Sequence, residues 1–287
     1  MSLNLLVAAA VAACPLVSAS PDFDAVEVIG SGSREDLRAM VACLGDPDPA
    51  IRDEGAYAAF VEALRERGVE PERRGDLMDM LAEAAAGAIE GADADDPGFI
   101  GPFAALVLAE VARTDRIDPW LEDGDRERLA LFASLYLESV RDYRGFVPGE
   151  GWRHGVAHGA DLVMQLALNR KLGRASAKVM LDAIHEQVAP SFHAYRFGEP
   201  ARLARPVIYL ADRDFMTDAQ WAQWFDTLYP EEEAARSDRY ADEAALIRMH
   251  NARAFALEIM AMTGQLGDSP AIALSDHAQR IVRRTAP

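Results

Sequence analysis

Apolar residues recur at helical spacing along most of this chain. Behind Ser33, the residues Leu37, Met40, Val41 and Leu44 fall three or four apart, a repeat that lays one apolar stripe along a helix. Ser33 is an N-cap residue, and Glu35 and Asp36 lie where the positive helix end favours acids. Asp46-Pro47-Asp48-Pro49 stops that pattern, and Pro49 is placed to open a second helix carrying Ile51, Ala58, Phe60, Val61 and Leu64. The same reading predicts helices over residues 72–90, 98–113, 125–141, 150–171, 174–189, 200–211, 217–228, 240–264 and 270–284. Breaks fall at Pro71, Asp96-Pro97, Asp123-Gly124, Pro148-Gly149, Gly173, Pro190, Pro230 and Gly267.

Ala, Leu, Arg and Glu abound, whereas aromatic and β-branched residues are sparse and long runs of Val, Ile, Thr or Tyr are missing. That balance predicts an all-α protein. Helices of this length joined by short breaks pack as antiparallel arrays. Leu44-Gly45-Asp46-Pro47-Asp48-Pro49-Ala50-Ile51-Arg52 is similar to the turn of a HEAT repeat, where an acidic, proline-containing turn precedes an Ile/Val-Arg pair. One clear copy is present. The expectation is an irregular HEAT-like α-solenoid or helical toroid, with a compact helical bundle as the alternative. No composition shift marks a domain boundary, so residues 33–287 read as one all-helical domain behind a polar lead-in over 20–32.

Residues 1–19 read as a signal peptide. The apolar stretch from Leu3 to Leu16 ends in Val17-Ser18-Ala19, a small-residue cleavage site before Ser20. The run is too short for a transmembrane helix, and Pro15 interrupts it. Only the terminal amine supplies positive charge at this end. Val11-Ala12-Ala13-Cys14 also resembles a bacterial lipobox, so the alternative to a free periplasmic or secreted protein is a lipoprotein anchored through Cys14. Either processing leaves Cys43 as a lone thiol among Met40, Val41 and Leu44, a small buried hydrophobe with no intramolecular disulfide.

Charge narrows the partners. The chain has 29 basic and 47 acidic residues among 287, a formal net charge of −18. A surface that negative repels phosphate backbones and anionic membranes, which excludes nucleic acid as an expected partner. Glu231, Glu232 and Glu233 form the one tight acidic cluster, read as a solvated loop or helix start. Among basic residues only Lys171 and Lys178 are lysine, an arginine bias that reads as coding background.

The richest segment runs Asp142-Tyr143-Arg144-Gly145-Phe146-Val147, then Gly151-Trp152-Arg153-His154-Gly155-Val156-Ala157-His158-Gly159-Ala160-Asp161-Leu162. It resembles the signature of the domain-of-unknown-function 2785 family: Asp, a variable residue, Arg-Gly and an aromatic, a short turn, Gly-Trp, a His, then Ala-His-Gly-Ala/Gly-Asp-Leu. The earlier Asp-Pro and Ile51-Arg52-Asp53 stretch and the later Glu199-Pro200-Ala201-Arg202-Leu203-Ala204 are also similar, so the resemblance spans about residues 35–230. Arg153 departs from the pattern, where a small or apolar residue is usual. The resemblance implies a helical architecture and supplies no reaction. Glu199 and Arg202, at i and i+3, read as a local ion pair and join the candidate site because the resemblance includes them.

At about 100° per residue, His154, His158 and Asp161 lie within about 60° of one another on a helix. Two imidazoles and a carboxylate on one face form the ligand set of many zinc and iron sites. The rise from His154 to Asp161 is about 10 Å, too far for one ion to be reached by both. Asp161 therefore reads as the group that orients His158, with His154 and His158 as the metal ligands. A helix beginning near Glu150 would put His154 just past its first turn, where the dipole favours a neutral imidazole. Gly155 and Gly159 flank the histidine face and would allow a neighbouring helix to approach closely.

Weaker candidates surround this motif. His185 and His193 read as surface or capping histidines, and His250 as a core or groove histidine. Trp221, Trp224, Phe225 and Leu228 at helical spacing read as core. No GxSxG elbow, P-loop, dinucleotide fingerprint, HExxH or CxxC occurs, so serine-nucleophile, nucleotide-hydrolysing and dithiol chemistry have no positive support.

Two functions fit. The favoured one is an exported helical-array protein that binds an unknown protein or small-molecule ligand. Its Asp142, Arg144, Trp152, His154, His158 and Asp161 would form a structural network between helices, Arg144 closing it on Asp142 or Asp161. The alternative is a hydrolase-like metal-dependent enzyme. His154 and His158 would bind Zn, Mn or Fe, with further ligands drawn from Asp142, Glu199, His193 or His250.

Overall fold

The computed structural model describes residues 13–20, 22–90, 98–236 and 239–286, and helices account for most of them. The first are α1 (Ala25–Ser31), α2 (Arg34–Ala42) and α3 (Ala58–Glu62), the last flanked by π-helical Ala50–Tyr57 and Ala63–Arg67. Then come α4 (Pro71–Glu90), α5 (Ile100–Ile117) and α6 (Asp123–Ser139). A two-stranded antiparallel hairpin follows, β1 (Phe146–Val147) pairing Phe146 with Trp152 of β2 (Gly151–Trp152). The rest is α7 (Gly155–Ala167), α8 (Arg174–Val188), α9 (Glu199–Ala211), α10 (Asp218–Leu228), α11 (Glu231–Ala234), α12 (Glu243–Thr263) and α13 (Leu274–Arg284). The architecture is all-α, as the composition predicts.

Most boundaries follow from local chemistry. Ser33 caps α2 in a reciprocal box with Asp36, and Thr217 does the same for α10 with Gln220. The α5 helix is the central one. Phe103, Ala104, Val107, Leu108 and Val111 are buried, and α4 and α7 pack along it. α7 in turn packs on α6 and α9, and α12 packs on α9 and α13. Trp221, Trp224, Phe225 and Leu228 are core, as their spacing predicts.

The polar lead-in carries a helix, α1, which Asp24 caps and which buries Ile29. Two expectations change. The helix expected over 150–171 starts at Gly155, because the glycines of the preceding segment build a hairpin instead. Gly149 and Gly151 hold φ of 85° and 83°, a left-handed backbone that glycine adopts at little cost. Cys43 is not a lone thiol, since its sulfur is bonded to that of Cys14. The segment carrying Cys14 folds onto the body: Leu16 lies against Gly55, where an added Cβ would meet its Cδ1 at 3.1 Å. A chain cut after Ala19, or lipidated on Cys14, could not carry this bond. The apolar stretch before Ala13 and the Asp96-Pro97 break lie outside the described residues.

The arginine bias has a structural use that composition does not suggest. At the ends of α1, α7, α8 and α10, arginine forks collect backbone carbonyls, some of which also accept a backbone amide. Arg73 takes those of Val28, Ile29 and Ser33, Arg213 those of Ala167, Asn169, Arg170 and Leu172, and Arg248 those of Ala189 and Leu228. Five donors in a rigid plane serve several acceptors at once, which a lysine ammonium cannot match.

Arg52 goes furthest. It is fully buried, donating to the carbonyls of Asp46, Pro47 and Glu150 and pairing with Asp53 at 2.7 Å. Its guanidinium lies 3.9 Å over the Phe99 ring, and Arg153 covers the same ring at 4.2 Å. Arg153, the departure from the family pattern, is thus a buried stacking partner that also pairs with Glu150.

Two stability outcomes are expected. Replacing Cys14 and Cys43 by alanine should lower unfolding free energy by about 3–4 kcal/mol, the loop-closure entropy of a 29-residue separation, read by chemical denaturation against the oxidised parent. Intact mass of the parent with and without reductant should differ by two hydrogens. Arg52→Met should cost about 3 kcal/mol or more by stranding three carbonyls and Asp53, and Arg52→Lys should recover only a small part.

Candidate functional site

The hairpin places His154 as the residue that caps α7, with φ 57° and ψ 38°. A left-handed backbone at a residue with a side chain costs about 1–2 kcal/mol. The carbonyl of His154 still accepts the first helical bond, from the His158 amide at 2.8 Å. Its ring stacks on Trp152, with centroids 4.2 Å apart and planes 15° off parallel. Phe197 meets both rings edge-on. His154 Nδ1 is buried, makes no hydrogen bond among the described residues, and lies 4.0 Å from Glu199 Oε1. Burial lowers the His154 pKa, against the opposing pull of Glu199. The neutral imidazole expected there is therefore produced by burial.

His158 sits one turn inside α7, under the first turn of α5. Its Nδ1 lies 3.1 Å from the Pro102 carbonyl. A carbonyl only accepts, so Nδ1 carries the proton and the neutral ring keeps its Nε2 lone pair. Phe103 meets the ring edge-on at 5.3 Å. Burial, reinforced by His154 and Arg202, pushes its pKa down to about 3. The two imidazole centroids are 5.8 Å apart.

The carboxylates pair differently from the sequence expectation. Asp161 does not orient His158; it binds Arg202 of α9 across the α7–α9 seam. Burial raises the Asp161 pKa, and Arg202 opposes the shift. Glu199 and Arg202 are therefore no local ion pair. Glu199 is buried and accepts the Phe197 amide at 2.8 Å, which turns its other oxygen toward His154. Asp142 and Arg144 do pair, through contacts of 2.5–2.9 Å. The two small residues act as expected: a Cβ on Gly155 would meet Val140 at 3.1 Å, and one on Gly159 would meet Leu137 and Tyr136 at 3.2 Å.

The structure thus unites Trp152, His154, His158 and Glu199 with the rings of Phe103 and Phe197. Asp142 and Arg144 share a small cleft with His154 and Glu199, and the Asp161–Arg202 pair bridges α7 and α9. His250 turns away, its Nε2 lying 3.3 Å from the Tyr195 carbonyl, and His185 faces Thr227. His193 packs against Tyr143 and Tyr195. Among the described residues no group of three or more His, Cys, Asp or Glu side chains is arranged to hold a metal ion. Phe197 and the Pro102 carbonyl are the contributors that residue patterns miss, the first a lone aromatic in a loop, the second a main-chain atom. A larger apolar cleft, about 390 Å³, lies elsewhere, between α8 and α10.

A family model described as "Protein of unknown function (DUF2785)" matches residues 87–260, more than half of the chain. The match takes in the whole motif and Glu199, and leaves the Asp-Pro turn and Arg52 outside. No curated protein and no solved structure matches the chain.

His158 makes stability depend on pH. The unfolded imidazole titrates near 6.5 and the folded one near 3, so between these values protons bind preferentially to the unfolded chain. Its contribution is complete above about pH 6.5 and shrinks as pH falls, by about 2 kcal/mol at pH 5. Denaturant titrations at pH 7.5 and 5 should show a loss of stability in the parent that is smaller by about 2 kcal/mol in His158→Asn.

Proposed function

The chain belongs to the DUF2785 family, and for this member we propose an exported helical binding protein whose His/Asp motif is structural. One observation carries the reading: the charged groups of the motif and His158 Nδ1 are engaged by partners inside the protein. Asp142 closes on Arg144, Asp161 on Arg202, and His158 Nδ1 on the Pro102 carbonyl. A ring whose protonation is suppressed to about pH 3, held by a backbone carbonyl and an aromatic edge, is a packing element that fixes α7 against α5.

Export is supported by the Cys14–Cys43 bond, since disulfides persist in oxidising compartments. It supports processing N-terminal to Cys14 over a cut after Ala19 or a lipid on Cys14, because only then is the Cys14 sulfur retained and unmodified. No helix among the described residues is long and apolar enough to cross a membrane.

The metal-dependent alternative rests on the open Nε2 of His158 and the unbonded Nδ1 of His154. Elemental analysis of untagged protein separates the two readings. Less than about a tenth of an equivalent of Zn, Mn or Fe, and no rise in melting temperature on adding them, is expected, since a Kd below added metal would stabilise the fold measurably. Stoichiometric metal that disappears in His154→Asn, with the fold kept, would sink the structural reading.

A further inference from the structure

Beside the histidines, the segment 141–147 and the loop 192–197 enclose a cavity of about 320 Å³. That is the size of small-molecule sites, about 300–1,000 Å³. Tyr143, Phe146, Phe192 and Phe197 supply rings and Arg141, Arg144 and Arg196 supply guanidiniums, with His193 and Val147 between them and no Asp or Glu among the lining residues. Three cations and no carboxylate are unusual in a chain of net charge −18.

The charges are unequally engaged. Arg144 is paired with Asp142, and Arg141 donates to the carbonyls of Glu138 and Val140. Arg196 lies 5.5 Å from the Phe197 centroid and has neither a carboxylate nor a hydrogen-bond partner among the described residues. Its cation is available to a ligand.

The rings are also placed for contact. Phe192 is 63 % exposed, a large apolar side chain left in water on the rim. Tyr143 stands edge-on to it with centroids 5.0 Å apart. Phe197 lies flush on bare backbone: a Cβ on Gly145 would fall 2.1 Å from its ring. The floor of the cavity therefore requires glycine at that position.

We propose that this cavity binds a small amphipathic anion, an aryl body bearing one carboxylate or phosphate group. Arg196, assisted by Arg141, holds the anionic group, and Phe192 and Tyr143 hold the aryl body. Guanidinium forks match both oxyanions, so the two sources share one recognition chemistry. The concave site fits a small ligand better than a macromolecular surface. This deepens the binding reading above and rests on it.

The test is calorimetric titration of the full chain with phenylacetate, phenyl phosphate, 2-phenylethanol and phenethylamine. At least one anion should bind, and the neutral and cationic analogues should bind about tenfold more weakly or not at all. The tighter of the two anions identifies the headgroup. Arg196→Glu and Phe192→Ala should each weaken anion binding about tenfold with melting temperature unchanged, because both side chains are exposed, and Arg196→Lys should keep part of it. Absence of binding by both anions, equal binding of 2-phenylethanol, or binding untouched by Arg196→Glu would each overturn the proposal. Stoichiometric metal at the histidines would overturn the structural reading of the motif and leave these titrations unaffected, so the two failures are distinguishable.

Discussion

A guanidinium with no access to water holds together three parts of the chain that are distant in sequence. Arg52 joins the acidic turn at Asp46 and Pro47, the hairpin at Glu150, and the ring of Phe99 just ahead of α5. Burying such a charge is unfavourable unless its donors are used, and here three carbonyls, one carboxylate and an aromatic face use them. The arrangement constrains its neighbours. A Cβ on Gly151 would sit 2.9 Å from the Arg52 guanidinium, so the hairpin must carry glycine there for space as well as for its backbone angle. With Arg153 also over the Phe99 ring, the entry to α5 is fixed by two cations. Two turns' worth of consequence follows: α5 presents the Pro102 carbonyl, and that carbonyl sets the ring orientation and tautomer of His158.

The hairpin also decides the character of His154. Taken out of the helix, it has a left-handed backbone, a stacked ring and a buried nitrogen without a hydrogen bond. An unmet buried polar atom costs about 1–3 kcal/mol, and the backbone adds to it. Trp152 and Phe197 hold the residue there by packing, and Glu199 offers the nearest charge. His158 is comfortable by comparison. Of the two histidines, His154 carries the local strain and lies next to the arginine-lined cavity, whereas His158 faces the core.

Legibility followed range. Capping at Ser33, the breaks at proline and glycine, and the tryptophan stripe of α10 are set by residues within a turn of one another, and sequence spacing reveals them. The candidate residues were legible as a set, because the motif is contiguous and Glu199 came with the family resemblance. Their partners were not. Pro102 acts through its main chain from 56 positions away, and Arg202 reaches Asp161 from another helix. Helical periodicity continues through residues 150–154, and only the joint effect of Gly145, Gly149 and Gly151 turns that stretch into a hairpin. The Cys14–Cys43 bond is illegible because the segment before Ser20 has the pattern of a signal peptide.

The distribution of arginine ties these points together. Arg73, Arg213 and Arg248 are spent on helix-end carbonyls, Arg52 and Arg153 on Phe99, and Arg126 on a buried pair with Asp115. Arg52, Arg126, Arg153 and Arg248 also pair with a carboxylate, and each of these side chains uses its planar five-donor fork to serve several partners at once. Arg196 does neither. It stands on a loop, over a ring that a glycine admits, beside an aromatic left in water, and next to the one strained histidine. In the proposed anion site, an arginine without a carboxylate among the described residues, an exposed ring and a strained histidine thus meet at one loop.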